Sequence, residues 1–430
     1  MVTTRSGARA GIALLAVTGL AALGACSGGS ATGEDEKVTL VFNWWGDATR
    51  AERYEEAIAL YEKQNPDVTI QSGYAAFGDY WTARNTEAAS GSLPDVMQMD
   101  STYLSQYAAS GQIQPLDEYT AGQIDVASFP TTVMPATTVD EQVYGIPTSI
   151  GTLANFWNAD VLDEIGVEAP EGDLTWEEYD ALLSDIAEAG ADQDPEVDGS
   201  TPYAQLIAVF EIWLNQQGKQ LYTPEGEFGF DEADLTEWWE RIEPMVADGA
   251  FIEPKRAEQS AGDNLGMKFT ANEISWYNFL VRFAETSGSD FEMTLPPADD
   301  AENRGLYLKP SLMLSMSATT EHPEEAAKFM DFITNDPEVS KIFGTSRGLP
   351  ISESALEALD DLEGLDKQIL DYYDEVLEVV GTSPAPPPEG AGAVEAEFLR
   401  IASDVSYGAT SVDDAVAEFF AGAPEMIVTD

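Results

Sequence analysis

Apolar and polar positions recur along this chain with two different periods, and the periods mark out its elements. Residues 38–42, VTLVF, are a short apolar, β-branched run and predict a strand. Across residues 50–65, Tyr54, Ala57, Ile58 and Tyr61 recur at i, i+3, i+4 and i+7, which predicts a helix stopped by Asn65-Pro66. Residues 68–71 predict a second strand, 80–89 a helix, 93–99 a third strand and 101–110 a third helix. This βαβαβα order predicts a parallel sheet covered by helices on both faces. Such sheets bind ligands at the carboxyl ends of their strands. That rule selects Trp44, Trp45 and Asp47 after the first strand, and Asp100 with Thr102 after the third. Two adjacent indoles before Gly46 and Asp47 favour a ligand-facing pair. The alternative is that one tryptophan packs inward and Asp47 only caps the helix.

Residues 144–162, YGIPTSIGTLANFWNADVL, open on the turn Gly145-Ile146-Pro147 and stay β-prone through Ile150, Thr152, Phe156 and Trp157. A short helix follows over 160–165 and stops at Gly166. The stretch reads as a crossing between two halves, with Thr148 and Ser149 passing an open cleft; one more core strand is the alternative. Thr175 and Glu178 bracket a helix start as a capping box. In the acidic loop 192–199, Asp194, Glu196, Asp198 and Gly199 match the first half of a calcium loop. Gln205 stands where a bidentate Glu is needed and Pro202 interrupts, so a solvated loop is the preferred reading. Residues 206–217 predict an apolar helix in which Phe210, Glu211 and Trp213 cannot all face one core. A further helix is predicted over 234–248, strands over 269–278 and 308–316, a stiff loop over 384–393 and a closing helical region over 395–421.

Charge narrows the function. The chain has 78 acidic and 20 basic residues in 430, a net charge of −58. Nucleic-acid binding is excluded, because phosphate contacts need clusters of Lys and Arg. Adaptation to high salt and an ordinary acidic secreted surface both fit this balance. His322 is the only histidine, so a histidine-based triad or metal site is not expected. No nucleophile motif, phosphate loop or metal cluster appears, and no cofactor is expected. At the N-terminus, Arg5 and Arg9 precede an apolar run over 11–23 and then Gly24-Ala25-Cys26. This is the layout of a secretory signal, and Leu23-Gly24-Ala25-Cys26 is similar to the bacterial lipoprotein box. Cys26, the only cysteine, is thus the expected lipidation site, residues 1–25 the signal peptide and residues 26–37 a flexible tether.

The stretch 144–162 followed by Leu174-Thr175-Trp176-Glu177-Glu178-Tyr179 resembles the extracellular solute-binding proteins of sugar ABC transporters (family 1). The shared features are a Tyr-x-x-Pro crossing, an aromatic-aromatic-Asn strand end and a Thr-Trp-acidic-Glu helix start. Residues 269–278 resemble that family's Phe-x-x-Gly-x-Ala-Ala-Met strand loosely, with Asn272 in place of Gly. The Gly-x-Trp that often follows is absent, and Arg282 is the candidate to replace its stacking tryptophan. Pro323-Glu324-Glu325-Ala326-Ala327 and the turn Arg347-Gly348-Leu349-Pro350 resemble further family stretches. The resemblance implies a type II periplasmic-binding-protein-like α/β fold, two lobes joined by hinge crossings with the ligand cleft between them. Lobe 1 is expected at 38–148 plus 316–350, and lobe 2 at 149–315 plus 351–430. Aromatic faces would cover the apolar side of a sugar, and planar polar groups would bond its hydroxyls. The implied contacts are Trp44, Trp45, Asp47, Phe77, Asp100, Thr102, Thr148, Ser149, Phe210, Glu211, Trp213, Asn278, Arg282 and Arg347. The implied protein is a non-enzymatic, monomeric, lipid-anchored receptor on the outer membrane face, delivering a sugar or oligosaccharide to an ABC permease. The alternatives are an anchored glycoside hydrolase using two carboxylates, or a binder of peptides or polyamines.

Overall fold

The computed structural model describes residues 37–428 except 171, 261, 360 and 361. The expected signal peptide, Cys26 and the tether up to residue 36 lie outside the described residues. Among the described residues no helix is long and apolar enough to cross a membrane.

Among the described residues, twelve strands form two main sheets and one small hairpin. In chain order they are β1 (Val38–Trp45), β2 (Val68–Ala75), β3 (Val96–Met99), β4 (Thr138–Val139), β5 (Gln142–Val143), β6 (Ile146–Gly151), β7 (Leu153–Asn158), β8 (Asp198–Ser200), β9 (Thr270–Trp276), β10 (Phe291–Thr294), β11 (Lys309–Met316) and β12 (Leu349–Pro350). The first sheet has the order β12-β6-β11-β3-β1-β2 and the second β10-β7-β9-β8; β4 and β5 make the hairpin. As predicted, β1 runs parallel to β2 and β3. β11 returns to that sheet from the second one and runs antiparallel to both of its neighbours, β3 and β6. The helix Ala48–Gln64 buries Ala51, Tyr54, Ala57, Ile58 and Tyr61, the stripe read from its period.

The two sheets meet where the chain passes between them. β6 ends at Gly151 and β7 starts at Leu153, so Thr152 alone joins the sheets. The return lies at Leu308–Lys309, where β11 begins opposite Gly151. The lobe boundaries expected from the sequence fall after 148, 315 and 350. The helix Glu353–Glu357 packs against β12 and the helix Pro337–Phe343. The second half carries Trp176–Gly190, Ile207–Gln216, Leu365–Val379, Ala391–Ser406 and Val412–Gly422 around its sheet.

Several elements differ from the reading by period. β1 continues to Trp45 rather than stopping at Phe42, and β2 to Ala75. The predicted helix 234–248 is two helices, Glu232–Trp239 and Ile242–Ala247. The acidic loop 192–199 ends in β8, where Asp198 is buried and ion-paired to Arg256. Its carboxylate is engaged there, and among the described residues no group of three or more His, Cys, Asp or Glu could hold a metal ion.

Candidate functional site

The site is a cavity of about 480 Å³ with walls from both sheets. The first half contributes Ser101 and Thr102 from the start of the helix Ser101–Ala109, with Lys309 and Pro310 from β11. The second half contributes Leu153, Ser275 and Trp276, the helix Ile207–Gln216 with Glu211, Tyr222 after it, and Tyr307. A proline-rich strap, Pro384-Ala385-Pro386-Pro387, closes one side, and Glu395 and Leu399 stand beside it on the helix Ala391–Ser406.

The strap is tied to both halves. Ser383 donates its backbone N–H to Thr132 and its hydroxyl to the Leu308 carbonyl, 2.6 Å away. Ser105 donates to the Pro387 carbonyl at 3.1 Å. Proline lacks a backbone N–H, so this wall offers mainly carbonyl acceptors.

Polar chemistry gathers around Glu211. The Tyr307 hydroxyl donates to its carboxylate. Burial raises the Glu211 pKa, and the Tyr307 bond and the nearby Lys309 charge oppose that rise. Burial also pushes the Tyr307 hydroxyl well above its ordinary value, with Glu211 next in effect. Lys309 Nζ lies 5.3 Å from the centroid of the Trp276 ring, within reach of a cation–π contact. Of nine tryptophans, eight are buried and only Trp276 keeps part of its ring open, on this wall.

Of the residues expected to contact ligand, Thr102 and Glu211 stand on the cavity wall. Others serve the fold. Trp44 is fully buried against Phe42 and Tyr54, and Trp45 is 8% exposed among Tyr80, Trp81 and Phe77. Consecutive strand residues point to opposite faces, and helices cover both faces here, so each indole finds a core of its own. Asp47 caps the helix Ala48–Gln64, accepting from Arg50 N at 2.8 Å. Asp100 caps the next one, accepting from Thr102 N at 2.9 Å. The Phe77 ring is exposed, 6.5 Å from the Tyr103 ring and outside the cavity lining.

Thr148 and Ser149 are buried inside the first sheet, donating to the carbonyls of Leu312 and Arg347. Both are fully buried and stand outside the cavity lining. Phe210 and Trp213 stack on each other in the second core, and only Glu211 between them turns outward. Asn278 is exposed and off the wall. Arg282 lies 4.3 Å from the ring of Phe279, which lines the cavity, and near Asp263. It therefore backs an aromatic wall residue instead of replacing a tryptophan. Arg347 is buried over Phe343 and donates to the Ile333 carbonyl at 3.0 Å.

Reading by motif missed Trp276, Tyr307, Lys309, Tyr222, Glu395 and the strap. Two of these carried a local signal. Lys309 is one of few cations in the chain and opens a strand with no other charged residue. Trp276 ends a strand whose other residues are all buried.

A two-lobed α/β architecture with a polar and aromatic cavity between the sheets defines a solute-binding protein. Residues 56–364 match the bacterial extracellular solute-binding proteins, and the chain belongs to that family. It is 25% identical to the galactooligosaccharide-binding protein of Bacillus subtilis, over 78% of each chain. Among solved structures, it resembles an extracellular solute-binding protein family 1 member from Alicyclobacillus acidocaldarius, with 25% identity and a TM-score of 0.75. That match covers 90% of this chain and 98% of the other. The periplasmic oligogalacturonide-binding protein of Yersinia enterocolitica shares the fold at 21% identity and a TM-score of 0.74, over 90% and 98% of the two chains.

Proposed function

We propose that this protein binds an oligosaccharide in the cavity between its two sheets and hands it to the permease of an ABC importer. The carrying observation is Trp276, the one tryptophan not sealed in a core, set on the cavity wall among Glu211, Tyr307 and Lys309. An indole covers the apolar face of a sugar ring, while carboxylate, phenol and ammonium bond its hydroxyls. The wall is split between two halves joined at Thr152 and at Leu308–Lys309. Ligand that touches both halves favours the arrangement that brings them together, by its differential affinity for that state. The name of the Bacillus relative supports an oligosaccharide as ligand. An acyl chain at Cys26 would hold the receptor at the extracytoplasmic membrane face.

The test is a calorimetric and fluorescence titration against neutral galacto- and arabino-oligosaccharides, with polyamines and peptides as competitors. We expect saturable binding with a change in tryptophan emission, and a loss of about tenfold or more in affinity for Trp276→Ala. Silence across the sugar panel, or displacement of sugar by amines at equal concentration, refutes the reading. Appearance of shorter sugars after incubation would instead identify a hydrolase.

A further inference from the structure

Lys309 and Trp276 stand on different sheets. Lys309 opens β11 opposite Gly151 of the six-stranded sheet, and Trp276 ends β9 opposite Leu153 of the four-stranded one. Their contact, 5.3 Å from ammonium to ring centroid, therefore spans the junction where the chain passes between the halves. Both side chains line the cavity, so the ammonium and the indole are offered to it together.

Acidic residues outnumber basic ones 78 to 20, yet among the described residues Lys309 forms no ion pair and rests on an indole instead. It is also the only cation among the described residues of the cavity wall. Its charge reaches Glu211 through space, opposing the rise of that carboxyl's pKa.

A ring that stacks on Trp276 on the side of Lys309 must displace the ammonium. A purely apolar ring would cover the indole but leave a partly desolvated cation without a partner, which is costly. A sugar ring has an apolar face for the indole and hydroxyl oxygens around its edge, and Lys offers three donors to them. Glu211 and Glu395 on the same wall oppose an acidic ring.

We propose that Lys309 is a specificity-determining residue, guarding Trp276 so that a neutral polyhydroxylated ring gains the indole and an apolar ring does not. The inference rests on the oligosaccharide reading and adds the means of selection to it. Sugar bound this way would also replace a direct contact between the sheets by one through the ligand.

The experiment compares the intact protein with K309A, K309R and W276F. Two probes are titrated, a neutral galacto-oligosaccharide and an uncharged naphthyl compound, with tryptophan emission as readout. For K309A we expect about tenfold weaker sugar binding and about tenfold tighter naphthyl binding, in line with the size of a partly desolvated cation–π contact. K309R should keep the parent pattern, because a guanidinium also stacks on an indole and donates to oxygens. W276F should remove most of the emission change. K309M keeps the stem, loses the charge and should give the same signs should K309A fail to fold. Affinities that move together for both probes, or do not move, overturn the proposal. If the parent protein binds no oligosaccharide, the oligosaccharide reading fails by itself. The naphthyl arm then still decides the role of Lys309: a gain in K309A supports the guard, and no gain rejects it.

Discussion

Glu273 lies in the interior of β9, and its carboxyl carries the cost of that position. Burial raises its pKa from 4.5 to about 7, against the lowering effects of the Thr201 hydroxyl, 2.8 Å away, and of Arg282. An acid whose folded pKa exceeds its unfolded value binds its proton more tightly when folded, so stability falls as pH rises between the two values. The cost is absent below about pH 4.5 and complete above about pH 7, at up to about 3 kcal/mol. Glu273→Gln should therefore raise the melting temperature at about pH 8 and change it little at about pH 4. Equal shifts at both pH values would show that burial of the charge is not the cause. The same scale explains why the Trp44-Trp45 pair misled: a dipeptide cannot tell a sheet with one open face from a sheet covered on both.

At the scale of elements, the junction between the sheets depends on Tyr277, the residue after β9. Its hydroxyl donates to the Ile150 carbonyl at 2.6 Å and accepts from Leu349 N–H. Ile150 and Leu349 are register partners of β6 and β12, so a side chain of the second half stands in the ladder of the first. Gly348 makes room for it. A Cβ there would lie 2.9 Å from the Ile150 oxygen and 3.2 Å from the Tyr277 hydroxyl, and φ is +100°. Tyr277→Phe leaves two buried backbone groups without this partner and should cost about 1–3 kcal/mol in chemical denaturation. A cost near zero would mean that the strands close up and pair directly. In contrast, the capping box at Thr175 and Glu178 was legible from four residues, because both of its bonds close within one turn. The crossing near residue 150 was legible as a place but not as a structure. Its polar pair Thr148-Ser149 suggested an open backbone, whereas the hydroxyls serve two neighbouring strands.

For the whole molecule, a net charge of −58 is spread over a surface with few cations to pair with it. Screening should relieve that repulsion, since the Debye length falls from about 10 Å at 0.1 M salt to about 3 Å at 1 M. We expect the melting midpoint to rise across that range; a midpoint unmoved by salt would point to an ordinary acidic surface. Exposed ion pairs such as Lys367–Asp371 and Lys341–Glu338 are weakened by the same salt, but each contributes about 1 kcal/mol or less.

The βαβαβα order of the first hundred residues and the capping box at Thr175 and Glu178 follow from the sequence alone. Period, turn residues and caps act between near neighbours, and those neighbours are written next to each other in the chain. Which residues face the cavity was decided only by tertiary structure. Thr102, Glu211, Trp276, Tyr307 with Lys309, and Glu395 come from five separate stretches. They share one wall because the chain passes between its sheets at Thr152 and again at Leu308–Lys309. Local patterns pointed to Thr102 and Glu211, but the burial of each wall residue depends on what the other half places over it.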